Sequence, residues 1–392
     1  MEFRLDEEHE LLRSNMRRIA ENELAPRAAY WDETETFPWE NIKKLSELGI
    51  MGLTVPEAYG GSGGDMMSFV LLLEEFAKVD AATAVTLLIH LGVANKCIAM
   101  FGTEEQKRRY LPPLASGDKI AAFAMTEPGA GSDASAMKTR AVDAGDHYVL
   151  NGVKHFITNG GVASTYTVLA KTDSTAGSKG ISIFIVEKDF PGFSVAKEDH
   201  KMGIRGSSFA ELVFDNCRVP KENLLMAAPG AFSRVMDLFN SERIGNASTC
   251  LGIAQGAFDF ALRYVQERET FGHRLWENQG IQWMLADMAA QIESARLLIY
   301  RAADYIQKGL PFIKEVSIAK LVANEMVVRV TNDAVQLLGG YGYTRDFPVE
   351  RMMRDGKALS FGGGTPQIQR TTIAGQLFGK RIKHNWIGGE KC

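Results

Sequence analysis

Cysteine is scarce in this chain: Cys97, Cys217, Cys250 and Cys392 are the only four among 392 residues, widely separated and without a CxxC pair. That argues against a thiolate metal or redox centre and against a disulfide scaffold, leaving reduced, buried thiols as the plain reading. Long apolar runs are also missing. The longest, such as Phe69 to Leu73, fall far short of a membrane span. The opening MEFRLDEEHELLR is charged and lacks the apolar centre of a secretory signal. There is no excess of positive charge: 44 Lys and Arg stand against 48 Asp and Glu, a net charge of −4. A dominant nucleic-acid or anionic-membrane partner is therefore not expected. No GK[ST] follows a glycine loop and no GxGxxG follows a first strand, so neither a P-loop nor a dinucleotide fingerprint is present. These absences describe a soluble protein of a reducing compartment, most simply a bacterial cytoplasm, with a mitochondrial matrix protein lacking its presequence as the alternative.

The chain does have the 45% hydrophobic and 23% charged residues of a globular protein. Its length calls for two or three domains. Over residues 1–118, Leu11, Leu12, Met16 and Ile19, then Ile42, Leu45 and Leu48, recur at helical spacing. Pro56 and the glycines at 60, 61, 63 and 64 interrupt the pattern before Phe69, Leu72, Leu73, Phe76 and Ala77 resume it. Thr103-Glu-Glu-Gln has the form of a capping box, and Pro112-Pro113 closes the region. Over 119–232 the runs IAAFAMT, HYVLNG, KHFITNG, TYTVLAK, GISIFIVE and AELVFD, broken by turn residues, predict a compact antiparallel sheet. Over 233–392 helical stripes return: Leu285, Met288, Ala289, Ile292, Ala295 and Ile299, then Ile318, Leu321, Val322 and Met326. The fold class is α+β: a helical domain, a β domain, and a helical bundle.

Five segments carry chemistry. Ala124-Met-Thr-Glu-Pro-Gly-Ala-Gly-Ser-Asp133 ends a β run in a loop whose glycines and hydroxyls can offer backbone N–H groups to a ligand. Taken alone it is equally an ordinary connection. Phe156-Ile-Thr-Asn-Gly-Gly161 reads as a strand entering a turn. Glu267-Arg-Glu-Thr-Phe-Gly272 offers an arginine that can grip a pyrophosphate bidentately, although a lone helix-end arginine more commonly faces water. Gln336-Leu-Leu-Gly-Gly-Tyr-Gly-Tyr343, followed by Asp346, Arg351 and Asp355, and Phe361-Gly-Gly-Gly-Thr-Pro-Gln-Ile-Gln-Arg370 complete the set.

In order and spacing, these five segments resemble the acyl-CoA dehydrogenase family, and the resemblance spans essentially the whole chain. It implies an N-terminal helical domain, a central antiparallel β domain and a C-terminal four-helix bundle, usually assembled as a homotetramer that binds FAD. It also implies electron-transfer flavoprotein as redox partner. By position, Phe123, Met125, Thr126 and Ser132 are expected to line the flavin and the start of the CoA channel, with Phe156 and Thr158 against the isoalloxazine. Arg268, Thr270 and Phe271 are expected at the FAD pyrophosphate and adenosine across a subunit interface, with Gln336 and Gly340 from the same neighbour. Thr365 and Gln367 are expected to complete the flavin site. Substrate contacts are expected from Ser132, Phe239, Arg243 and Gly362.

The chain departs from the family pattern at the catalytic base. Most members place a glutamate just before the Gly-Thr of the fifth segment, and this chain has Gly363 there. No carboxylate lies between Asp355 and Glu390, so a one-residue slip cannot restore it. A second branch, which includes isovaleryl-CoA dehydrogenases, carries the base in a Glu-Arg pair on the first C-terminal helix. Here Phe239-Asn-Ser-Glu-Arg243 puts Glu242 in that position. A Glu beside an Arg on a solvated helix face is the plain alternative. Gly363 still owns the backbone N–H that holds the thioester oxygen in the family. Gly375 stands where many members have an arginine near the CoA entrance, which leaves a protein-bound pantetheine open as acyl carrier. Thr83 to His90 contains no arginine of the glutaryl type, and His90 reads more readily as a satisfied core histidine than as pocket lining.

The expected reaction is therefore α,β-dehydrogenation of a short, branched or cyclic acyl thioester, with Glu242 as base. Competing readings are an enoyl-CoA reductase of the crotonobetainyl type, a non-oxidative relative such as an acyl-CoA desulfinase, and a homologue that binds without catalysis.

Overall fold

The computed structural model describes residues 4–379; the readings that involve Glu390 and Cys392 lie outside them. Helices α1 (Glu7–Ile19), α2 (Ala28–Thr34), α3 (Trp39–Glu47), α4 (Met66–Ala77), α5 (Ala81–Leu87), α6 (Asn95–Phe101) and α7 (Glu104–Ala115) come first. Their starts follow from local chemistry. Asp6, Asp65 and Asp80 accept N–H groups of the first turns of α1, α4 and α5, and Thr103 with Gln106 forms the expected capping box on α7. Pro112 and Pro113 do not end α7 but sit in its last turn, where their carbonyls still accept from Ser116 and Lys119. On α1 the core stripe is Leu12, Met16 and Ile19, whereas Leu11 is 64% exposed.

Between α5 and α6 the chain passes through a π-helical turn, Leu88–Ala94. The continuous segment Ala81–Phe101 has a mean hydropathy of 1.6, long and apolar enough by composition to cross a membrane, a length that the five-residue run at Phe69 did not suggest. It is 72% buried inside the protein, against α4, α8 and β1, as a core helix would be.

The middle of the chain is an eight-stranded sheet: β1 (Ala121–Ala124), β2 (Arg140–Asp143), β3 (His147–Thr158), β4 (Thr165–Lys171), β5 (Ile181–Glu187), β6 (Phe193–Glu198), β7 (Phe209–Pro220) and β8 (Leu224–Met226). The order is β6-β7-β3-β2-β4-β5-β8, with β1 paired to β4. Pairing is antiparallel except for β1 and β2 on β4, because the loop after β1 crosses over before the chain returns. HYVLNG and KHFIT, which read as separate runs, are one strand bent by irregularities near Gly152 and between Lys154 and Ile157. TYTVLA and ISIFIV are buried on both faces, as continuous apolar strands require.

Helices α8 (Ala231–Glu267), α9 (Gln279–Gln307), α10 (Ile313–Leu338), α11 (Val349–Leu359) and α12 (Pro366–Phe378) finish the fold, with a short hairpin, β9 (Glu269–Thr270) and β10 (His273–Arg274), between α8 and α9. Helix α8 packs on α4, α9, α10 and α11. Its approach to α4 is close because Gly252 and Gly256 have no side chains: a Cβ at either would lie 2.2 Å from the carbonyl oxygen of Glu74 or Lys78. On α10 only Met326 of the expected stripe is buried. Ile318, Leu321 and Val322 are only half-buried, and the face turned to the core carries Val316, Ala319, Lys320, Ala323, Asn324 and Val327.

The α8–α4 contact predicts the outcome of one substitution. Gly252→Ala drives a methyl group into a backbone carbonyl and should lower the melting temperature sharply or abolish soluble expression. Gly280→Ala on α9, where nothing lies within 4 Å, should be neutral or stabilising by up to about 1 kcal/mol. Differential scanning fluorimetry of the two variants checks this.

Candidate active site

All three units meet around the first half of α8. Phe239, Glu242, Arg243 and Asn246 recur at helical spacing and face the junction. Phe239 stacks on Phe123 of β1 at 6.1 Å between ring centroids, and the Arg243 guanidinium lies 5.7 Å from the Phe239 ring centroid.

Glu242 is only 3% exposed, so it is not on a solvated face. Lys96, on α6, donates to its Oε1 at 2.7 Å. Its Oε2 is buried without a hydrogen-bond partner among the described residues. Burial pushes the carboxyl above its usual range, and Lys96 opposes that shift.

Opposite lies the glycine loop between α11 and α12. Gly363 and Gly364 take φ of +67° and +110°, left-handed backbone that suits glycine. Two buried cations grip the loop by its carbonyls. Arg243 Nε donates to Gly363 O at 3.1 Å, and Lys320 Nζ donates to Gly362 O at 2.9 Å and to Asn246 Oδ1 at 3.0 Å. Asn324 secures the preceding turn through Leu359 O and Ser360 O. Burial depresses Lys320 to about 7, and Arg243 adds to the effect. The N–H of Gly363 has no acceptor among the described residues. Thr365 caps α12 through Ile368 N, and Gln367 is exposed on the first turn.

The β-domain side is held by a buried pair that the sequence reading did not single out. Glu127, inside the TEPGAGSD loop, accepts from the N–H groups of Lys138 and Thr139 and from Lys154 Nζ at 2.8 Å; Lys154 also donates to Met125 O at 3.0 Å. Burial lowers Lys154 to about 8 against the pull of Glu127. Burial would raise Glu127, but Lys154 and the N–H donors prevail and hold it below its usual range. Met125 and Thr126 are thereby fixed beside β3, where His155 N donates to Thr126 O. Gly129 and Gly131 face open space. Phe156, at φ +60° and 53% exposed, presents its ring as a shelf backed by Phe209 at 5.4 Å, with Thr158 half-buried nearby.

A flat aromatic shelf beside an open, rigid glycine loop suits the planar ring and phosphates of FAD. A groove of about 650 Å³ runs from this loop between α8 and α12, lined by Ser132, Asn240, Arg243, Ile368, Thr372 and Gly375 among others. Ser132 and Arg243 are where substrate contacts were expected, and Gly375 puts no side chain on the α12 wall.

Not every expected residue joins this junction. Arg268 lies at the far end of α8, about 39 Å from Glu242 at roughly 1.5 Å per residue. There it stacks 5.5 Å from the Tyr341 ring centroid, beside half-buried Thr270 and fully exposed Phe271. Gln336 and Gly340 are exposed at the same end. Asp355 and Arg351 are staples: Asp355 is buried and accepts from Ile204 N, and Arg351 donates to Val79 O. His90 is a satisfied core residue. Its Nδ1 accepts from Ala121 N and its Nε2 meets Met51 O and Leu114 O, with burial lowering it to about 4. The side-chain amide of Asn95 lies 3.2 Å from His90 Nε2. No three-residue cluster suited to a metal occurs among the described residues.

The three units thus bring a buried carboxylate on α8, a glycine loop gripped by two cations and an exposed aromatic shelf to one junction, an arrangement suited to an enzyme that binds a planar cofactor. The chain matches the acyl-CoA dehydrogenase N-terminal domain over residues 6–118, the middle domain over 122–217 and the C-terminal domain over 232–378. It belongs to the acyl-CoA dehydrogenase family, and is accordingly an FAD-dependent oxidoreductase. It is 50% identical over 378 residues to a short-chain specific acyl-CoA dehydrogenase of Clostridium acetobutylicum, covering 96% of this chain and 100% of that one. It is 45% identical over 379 residues to acryloyl-CoA reductase (NADH) of Anaerotignum propionicum, 96% of each. Among solved structures, butyryl-CoA dehydrogenase from Megasphaera elsdenii superposes with a TM-score of 0.94 at 43% identity, covering 96% of this chain and 100% of that one. A chain solved in work on the electron transferring flavoprotein of Acidaminococcus fermentans also gives 0.94, at 45% identity over 96% and 99%.

Lys154→Met strips Glu127 of its buried cation, a loss worth about 3–5 kcal/mol. The loop holding Met125 and Thr126 should loosen. Purified protein should then carry clearly less flavin per chain than wild type, read from visible absorbance against protein concentration, and melt at a lower temperature.

Proposed function

We propose that this enzyme removes the α-proton and a β-hydride from a short, branched or cyclic acyl-CoA thioester, with Glu242 as the base. The observation that carries the reading is the state of Glu242: buried, paired on one oxygen only, and on the same helix as the arginine that grips the Gly363 loop. Oε2 is the atom left to take the proton. Gly363, with its free N–H, is the group suited to hold the thioester oxygen as negative charge develops there. Arg243 and Lys320 keep that loop in place. FAD, when bound, supplies the two-electron acceptor.

Phe123, Met125, Thr126, Phe156 and Thr158 would position the flavin, with Thr365 and Gln367 on its other side. Ser132, Phe239, Arg243 and Gly362 would guide the acyl chain and its carrier, which is CoA or a protein-bound pantetheine. Three glycines at the carbonyl leave room for a branched or cyclic group. Arg268, Thr270, Phe271, Gln336 and Gly340, clustered far from Glu242, would serve the FAD of a neighbouring subunit in a homotetramer. Domains divided at residues 118 and 232, a bacterial cytoplasmic setting and electron-transfer flavoprotein as acceptor complete the reading. The likeness to a named reductase favours a second one, in which the same site runs towards saturation; base and clamp keep their places and only the redox partner changes.

Glu242→Gln should retain FAD yet slow anaerobic flavin bleaching by the best acyl-CoA of a chain-length and branching panel by roughly 10²–10⁴-fold. Wild-type bleaching in this variant would show that the base lies elsewhere. Because Glu242 sits above the ordinary carboxylate range, wild-type kcat/KM should fall as pH drops through that raised pKa and the base becomes protonated.

A further inference from the structure

We infer that Lys96 is the positioning residue for the Glu242 base, clamping Oε1 so that Oε2 stays free, in a recess that exists because residue 92 is glycine. The inference rests on the reading of Glu242 as base and adds how that base is held.

The geometry comes from the π-helical turn. Leu88–Ala94 widens the helix just before Lys96, and such turns recur at functional sites because they redirect the side chains that follow. Here the turn splits the segment's polar groups between two sides. His90 faces β1 and the carbonyls of Met51 and Leu114, whereas Gly92 and Lys96, one turn apart, face α8. A Cβ on residue 92 would stand 2.8 Å from Glu242 Oε2 and 2.7 Å from Phe69 Cζ. Any side chain there would push on the very oxygen that is left without a partner. Lys96 reaches the other oxygen from a half-buried position, its side chain 27% exposed, so the ammonium stays partly hydrated while the carboxylate does not.

Lys96 is the cation that meets the carboxylate. Arg243, next in sequence, is turned to Asn240 and Gly363 O. Lys320 on α10 is spent on Asn246 and Gly362 O. On α4, Glu74 is bound by Arg296 and Tyr300, and Glu75 by Arg17 and Lys78. Helix α5 brings no charged side chain, and His90 is held on the opposite side. A buried carboxylate without an opposing charge tends to take up a proton, and a protonated base cannot accept one. The ion pair therefore maintains the reactive form and aims its free oxygen together.

The test compares Lys96→Met, Lys96→Arg and Glu242→Gln, each purified with FAD, by pH profiles of kcat/KM on one verified acyl-CoA. Lys96→Met should keep its flavin and move the acid limb to higher pH by about 1–3 units, the size of effect an opposite charge exerts at this range. Lys96→Arg should return the limb towards wild type. If Lys96→Met fails to fold, Lys96→Gln, which can donate to Oε1 without charge, should shift the limb in the same direction by a smaller amount. An unmoved acid limb in a folded, flavin-loaded Lys96→Met or Lys96→Gln overturns the inference while Glu242→Gln, if inactive, leaves the base reading standing. A fully active Glu242→Gln overturns the base reading itself, whatever Lys96 does.

Discussion

A charge taken out of water must be answered by another charge or by well-placed dipoles, and the junction of the three units is arranged around that requirement. Glu242 is answered on one side by Lys96, Glu127 by Lys154, and Lys320 and Arg243 by the carbonyls of a glycine loop. Each answer comes from a different part of the chain. Pairing them fixes the position of α8 against α6, of the TEPGAGSD loop against β3, and of the α11–α12 connection against α10. The apolar cores make each unit stable; these polar ties set the units in register at their junction.

The incompleteness of two of these answers is as informative as their presence. Oε2 of Glu242 and the N–H of Gly363 are left without partners among the described residues, one an acceptor and one a donor. For the buried Oε2 being unpaired costs about 1–3 kcal/mol, whereas the N–H of Gly363 belongs to an exposed residue and is open to solvent or ligand. Under the proposed reaction the ligand brings the complementary groups: an acidic C–H for the oxygen and a carbonyl for the N–H.

Much of the architecture was legible because it is written locally. Helix caps, glycine turns and alternating or continuous apolar runs announce α7, β4 and β5 without help from the rest of the chain. Glu242 was legible only through a resemblance, since a Glu-Arg pair on a helix looks the same whether it faces water or the interior. Lys96, Asn246 and Lys320 gave no signal of their own. Their partners lie 146, 113 and 42 residues away, and a lysine within an apolar helix reads as a surface residue unless the facing elements are known. The stripe on α10 went astray for that reason. Apolar periodicity pointed to Ile318 and Leu321, while the face that is buried includes Lys320 and Asn324. The parallel seat of β1 on β4 was hidden in the same way, because pairing direction depends on where a crossover returns and not on strand composition.

The left-handed loop at Gly363 and Gly364 also limits what residue 363 itself can carry. A glutamate introduced at 363 would begin 3.8 Å from Lys320 Cε and would have to accept a backbone conformation that costs an L-residue about 1–2 kcal/mol. Left-handed backbone at Gly363 and Gly364 thus keeps side chains out of this stretch. A carboxylate that serves the junction has to come from another element, and α8 is the element that brings a buried one.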